Sequence, residues 1–110
     1  MPLVILASCW LLWSAPGDDG MVGRATRYEV RYSPVPTPTD TAMWLMVPSL
    51  PVPSEAGQLD SVRVAGLDYA LPYRFVMRAV DDAGNWSHWS NVGVKSPGRA
   101  PEMIVIRPDK

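Results

Sequence analysis

Residues 66–91 read GLDYALPYRFVMRAVDDAGNWSHWSN. From Tyr73 the side chains alternate, with Tyr73, Phe75, Met77 and Ala79 on one face and Arg74, Val76, Arg78 and Val80 on the other. A two-residue period of this length predicts a half-buried β-strand with its aromatic face inward. Asp81-Asp82-Ala83-Gly84-Asn85 should end it in a turn, because Gly and Asn tolerate positive φ and Asp accepts from nearby backbone N–H groups. Leu67 stands six residues before Tyr73. A Leu followed at that spacing by a strand-opening Tyr is the pattern of a tyrosine corner, whose phenol bonds back to local backbone. The fold class expected is therefore all-β, a Greek-key β-sandwich.

The same period recurs at residues 26–33, with Tyr28, Val30 and Tyr32 on one side and Arg27, Glu29 and Arg31 on the other. Residues 8–14 predict a core strand with Cys9, Leu11 and Trp13 inward. Its outward positions, Trp10 and Leu12, are also apolar, which normally marks a covered surface. A strand at 59–65 points Val62 and Val64 inward, a short edge strand at 41–47 is anchored by Trp44, and 89–95 is the last strand of the sandwich. The connections carry dense turn residues, Ala15-Pro16-Gly17-Asp18-Asp19-Gly20 among them, and two proline-rich runs begin at Pro34 and Pro48. Proline cannot donate to a sheet ladder, so these runs belong between strands. Trp13, Tyr28, Val30, Leu67, Tyr73 and Phe75 are the expected core.

Residues 1–96 read as the sandwich, and 97–110 as a linker followed by the apolar run Met103-Ile104-Val105-Ile106. That run either adds a strand beside the Trp13 strand, in this chain or a neighbouring copy, or starts a following domain. An uncovered edge invites aggregation, which favours the first arrangement.

A chain of 110 residues suits one domain able to bury a core without staples. Ten basic against eleven acidic residues give a net charge of −1, with no basic footprint for nucleic acid. Cys9 is the single cysteine, which excludes an internal disulfide and any multi-cysteine metal site. The apolar run at residues 1–13 falls short of the roughly 20 residues a membrane-spanning helix needs. Leu6-Ala7-Ser8-Cys9 is similar to the lipobox of bacterial lipoproteins, yet no Lys or Arg precedes Arg24. A secretion signal needs a basic start and an apolar segment of roughly 7–15 residues before cleavage, so a strand is expected instead.

Taken together, these residues resemble a fibronectin type III domain, an immunoglobulin-like sandwich. In that family's order Trp13 would end the second strand, Tyr28-x-Val30-x-Tyr32 would lie in the third, and Leu67 to Tyr73 would lead into the sixth. Trp13 to Gly20, Arg31-Tyr32-Ser33 and Asp81 to Asn91 look like the type III modules of bacterial secreted and surface proteins. The resemblance covers roughly residues 8–95, and several spaced motifs agree. Only Met1 to Ala7 is available for the family's first strand, so the chain reads as shortened at its N-terminus.

Two constellations are candidate sites. In a type III sandwich the loops holding Asp18 and Asp19 and holding Asp81 and Asp82 would share one pole, and four carboxylates could hold calcium through hard oxygen ligands. Neither loop has the spaced ligand ladder of a dedicated calcium site, so turn closure is the expected role. Trp86-Ser87-His88-Trp89-Ser90 spells W-S-x-W-S, similar to class I cytokine-receptor modules. There tryptophans interleave with arginines of the preceding strand, which implies a cation–π ladder of Arg74, Arg78, Trp86 and Trp89. Such receptor modules come in tandem with a disulfide-bearing partner, which this chain does not contain.

Asn85-Trp86-Ser87 is a glycosylation sequon, meaningful only in a eukaryotic secretory pathway. His88 has no Ser–Asp constellation around it and reads as a loop residue, and Cys9 reads as a small core hydrophobe. No Gly-rich phosphate loop, Cys–His metal spacing, catalytic motif or Arg-Gly-Asp string is present, so neither an enzyme nor a cofactor is expected. The resemblance implies an extracellular or cell-surface spacer or interaction module. Its partners would be other domains of the same polypeptide, or extracellular protein or carbohydrate. The alternative it implies is a ligand-binding receptor module.

Overall fold

The computed structural model describes residues 6–16, 25–34, 44–68, 70–95 and 102–107. Among these residues the chain is all-β, with strands β1 (Leu6–Ser14), β2 (Arg27–Pro34), β3 (Leu45–Met46), β4 (Leu59–Asp68), β5 (Tyr73–Val80), β6 (Gly93–Lys95) and β7 (Glu102–Val105). They form a three-stranded sheet in the order β4-β1-β7 and a four-stranded sheet in the order β3-β2-β5-β6. Both sheets contribute to one hydrophobic cluster, the arrangement of a β-sandwich. No helix among the described residues is long and apolar enough to cross a membrane.

Alternation sets which faces meet. Tyr28 and Val30 of β2 and Tyr73, Phe75, Met77 and Ala79 of β5 are buried, on strands paired antiparallel from Arg27↔Val80 to Pro34↔Tyr73. Cys9, Leu11 and Trp13 of β1 and Val62, Val64 and Leu67 of β4 close the core from the other sheet. The six core positions named from the sequence all lie in this cluster, whereas Tyr32 is half-buried at its margin, its ring 6.0 Å from Phe75 and 6.2 Å from Tyr73.

β4 runs past residue 65, where the sequence pattern ends it, because a bulge resets its period. Ala7 pairs with Leu67 and Cys9 with Val64, so β4 advances three residues while β1 advances two. Gly66 takes a φ of 77°, the left-handed value that a bulge of this kind demands of glycine. The slip brings Leu67 to the face that Val62 and Val64 already occupy. The chain then turns, and the Asp68 N–H donates to the Tyr73 hydroxyl at 2.8 Å, closing the corner.

The apolar C-terminal run lies on β1 of its own chain. β7 pairs parallel to β1, with Trp10↔Met103 and Leu12↔Val105 in register, and the Ile106 N–H donates to the Leu12 carbonyl at 2.9 Å. Ile104 and Ile106 are buried against Gly93 of β6, where the two sheets meet. A Cβ on Gly93 would stand 2.6 Å from Ile104 Cγ2, a stiff β-branched methyl with no free rotor to swing aside. Gly93→Ala is thus expected to destabilise the protein by about 1–3 kcal/mol through overpacking, read as a lower urea midpoint, and Gly93→Ala/Ile104→Leu should recover part of the loss, because leucine carries no methyl on Cβ.

Other strand limits differ from the sequence reading. In the stretch 41–47 only Leu45–Met46 is strand, with Trp44 buried beside it, while residues 41–43 lie outside the described part. Residues 89–92, read as strand, are irregular, and β6 begins at Gly93. Val76 and Val80, placed on the solvent side by alternation, are buried, and so is Glu29 on the same face of the sheet, opposite Arg78. Something covers the outer face of the four-stranded sheet.

Candidate functional site

The cover comes from the segment after β5. Asp81 builds the turn that launches it: its Oδ1 accepts from the Ala83 N–H at 3.0 Å and the Asn85 N–H at 2.8 Å, and Gly84 supplies a φ of 87°. These backbone bonds, that from Asn85 foremost, hold the Asp81 carboxyl below its ordinary value. The chain then runs beside β5 without becoming a strand. Ser87 donates its N–H to the Ala79 carbonyl at 2.8 Å and accepts the Ala79 N–H on its hydroxyl at 3.0 Å. Ser90 does the same with Met77, at 2.8 and 3.0 Å. The two serines thus stand in for ladder residues, their hydroxyls replacing backbone carbonyls.

Trp86 and Trp89 precede those serines and lie over the outward arginines. The Arg78 guanidinium sits 4.4 Å from the Trp86 ring centre and 4.5 Å from that of Trp89. Arg27 also lies over Trp86, at 5.0 Å, and Arg31 over Trp89, at 5.6 Å. The order along the sheet is Arg27, Trp86, Arg78, Trp89, Arg31. Beneath it Glu29, directly opposite Arg78, accepts from Arg78 Nη2 at 2.8 Å and from Arg31 Nε. On the same face Val76 and Val80 are buried, and Val80 pairs with Trp86 in an isolated bridge.

The sequence reading placed Arg74, Arg78, Trp86 and Trp89 in the ladder. The structure brings Arg78 and both tryptophans together, while Arg74 lies farther along, paired with Ser33 and Val94 and exposed. Arg27 and Arg31 of β2 take the outer rungs, which the sequence did not reveal because cross-strand register decides them. Arg78→Ala leaves Glu29 buried with one partner fewer and parts the two rings. A loss of about 1.5–3 kcal/mol is expected, read by chemical denaturation, with Arg78→Lys recovering little because it lacks the planar fork.

Asp18 and Asp19 lie outside the described residues, so the structure describes one half of the acidic pole. There Asp81 is held in its own turn and Asp82 is exposed. Among the described residues no group of three or more His, Cys, Asp or Glu side chains could hold a metal ion. Cys9 is buried, His88 exposed, and Asn85 bound to Asp81 through its backbone and side-chain amides. A cleft of about 240 Å³ opens between the sheets, where Tyr32, Val47 and Pro48 face Arg63 and Val64.

One polar group went unread in the sequence. Asp60, buried in β4, accepts the Tyr28 hydroxyl at 2.6 Å and the Ser54 backbone N–H at 3.0 Å, with the Ser54 hydroxyl on its other oxygen. Burial works to raise the Asp60 pKa, but the bonds from Ser54 and Tyr28 outweigh it and leave the carboxyl below its ordinary value. For Glu29, likewise, burial is outweighed by the bonds from Arg78 and Arg31. Burial, then the bond to Asp60, pushes the Tyr28 phenol well above its usual value.

A carboxylate depressed in the fold stabilises above its unfolded pKa and loses that contribution as pH falls through its folded value. Melting temperature should therefore drop as pH is lowered below about 4, and Asp60→Asn should flatten that part of the curve. Tyr28 has the opposite sign, so a second decline is expected as pH rises above about 10.

The fold and this face define an all-β, two-sheet protein with an arginine–indole stack built on one sheet. Compared with protein-family models, curated proteins and solved structures, the chain finds no match.

Proposed function

We propose that the chain is a non-catalytic extracellular module of the fibronectin type III kind, a spacer or interaction domain within a multidomain secreted or surface protein. The pairing scheme carries this reading. β1 pairs with β4 in one sheet, while β2 and β6 flank β5 in the other. That is how the second and fifth strands, and the third, sixth and seventh, divide in an immunoglobulin-like sandwich, with a tyrosine corner between the fifth and sixth. β7 lies on the flank of β1 that the first strand of such a sandwich would hold, though it runs parallel to β1. Among the described residues the buried acidic groups, Asp60 and Glu29, are engaged in structural bonds, which supports a role without chemistry.

A second reading, a ligand-binding receptor module, is favoured by one observation: the stack is built on W-S-x-W-S. The flanking coding sequence in the same frame tests both. A hydrolase or surface-anchoring domain is the expected neighbour. A disulfide-bearing tandem module supports the receptor reading instead, and a cytosolic enzyme domain overturns both.

A further inference from the structure

The stacked face has a charge pattern unlike the chain as a whole. Among the described residues Arg27, Arg31 and Arg78 stand on it with one carboxylate, Glu29, paired to Arg31 and Arg78, in a protein whose net charge is −1. Arg74 continues the row at the level of Ser33. From the level of Arg27 to that of Ser33 is six residues of β2, a stripe about 20 Å long at the rise of a β-strand. Exposed Met46, paired with Arg31, and exposed Val94, paired with Arg74, flank it. The turn carboxylates Asp81 and Asp82 bound it beyond Val80. Arg27 is exposed and stacks on Trp86, and among the described residues it makes no ion pair.

We propose that this stripe binds a linear acidic polysaccharide, carrying sulfate or carboxylate groups along its length. The indoles hold the guanidinium groups in a row, and Glu29 ties down Arg31 and Arg78, so the positive charges are in place before a ligand arrives. Guanidinium edges suit sulfate and carboxylate, which accept two parallel bonds. A single-stranded nucleic acid fits less well, because it needs open aromatic faces on which bases stack. Here Trp86 is already engaged by Arg27 and Arg78, and Trp89 by Arg78 and Arg31.

The proposal deepens the interaction-module reading and rests on it only for where such a polymer is met. The purified full chain is titrated with heparin, polygalacturonate, neutral dextran and single-stranded DNA at two salt concentrations, with tryptophan fluorescence as the readout. Binding to one or both acidic polysaccharides, weakening with salt, is expected, with none to dextran. Arg27→Gln should weaken it and lower the slope of log affinity on log salt by about one, while the melting temperature falls only by the little that one exposed cation–π contact contributes, since Arg27 does not bond Glu29. Arg74→Gln should add to the loss. Absence of binding to both acidic polymers at low salt overturns the proposal, as does binding that survives the double substitution. DNA bound as tightly as heparin overturns the assignment to polysaccharide. A cytosolic neighbour in the reading frame would defeat the extracellular reading and leave these titrations unaffected, so the two failures are separable.

Discussion

Trp13→Ala is expected to cost about 3–5 kcal/mol, enough to leave much of the population unfolded, since small domains have only about 5–15 kcal/mol in total. Trp13 is among the largest fully buried side chains, and its ring meets Tyr28 edge-on at 5.2 Å. Removing the indole opens a cavity between the two sheets, beside the hydroxyl that Tyr28 gives to Asp60. Trp13→Phe makes the test specific. The indole N–H is buried and meets no well-formed hydrogen-bond acceptor among the described residues, so Phe forfeits mainly volume and should retain a cooperative transition. Urea denaturation of both variants checks this. A Trp13→Ala protein of near-native midpoint would show that the core does not depend on this residue.

The second large effect concerns β7. A chain ending at residue 101 loses Ile104 and Ile106, each worth about 2–5 kcal/mol when truncated in a well-packed site, and the Ile106–Leu12 backbone bond. It also uncovers Gly93 and one flank of β1, where Trp10 is already 39% exposed. The shortened chain is expected to melt far lower and to aggregate through that flank. Thermal melting with sedimentation decides it. An unchanged melting temperature in a monomeric protein would mean that β7 rests on the sandwich without supporting it.

How much of this could be read in advance follows the range of each interaction. β2 and β5 were legible because alternation is local, and so was the Tyr73 corner, whose hydroxyl reaches only to the Asp68 N–H. Register is not local. Arg27 and Arg31 join the ladder because β2 pairs with β5 so that Glu29 faces Arg78, and no pattern within either strand announces that. Asp60 was missed for the same reason, its partner Tyr28 lying 32 residues away. The extension of β4 was hidden by a change of parity at Gly66. Residues 89–92 were read as strand and belong to a segment that runs beside one, yet in that segment serine hydroxyls make the contacts a strand's carbonyls would make. Val76 and Val80 were assigned to solvent by a rule that assumes nothing lies on that face.

The position of β7 also bears on how the chain is made. Cys9 pairs with Val64 on one side and Glu102 on the other, a separation of 102 − 9 = 93 positions for the second partner. Closing so long a loop adds little to the equilibrium cost, which grows only with the logarithm of length, but distant pairings slow folding. During synthesis β4 is complete at Asp68 and the core closes only at Ile106, 106 − 68 = 38 residues later. At a ribosome's pace that is about 2–8 seconds. Throughout it the first strand, with Cys9, Leu11 and Trp13, has one flank open to any chaperone or neighbouring nascent chain that reaches it.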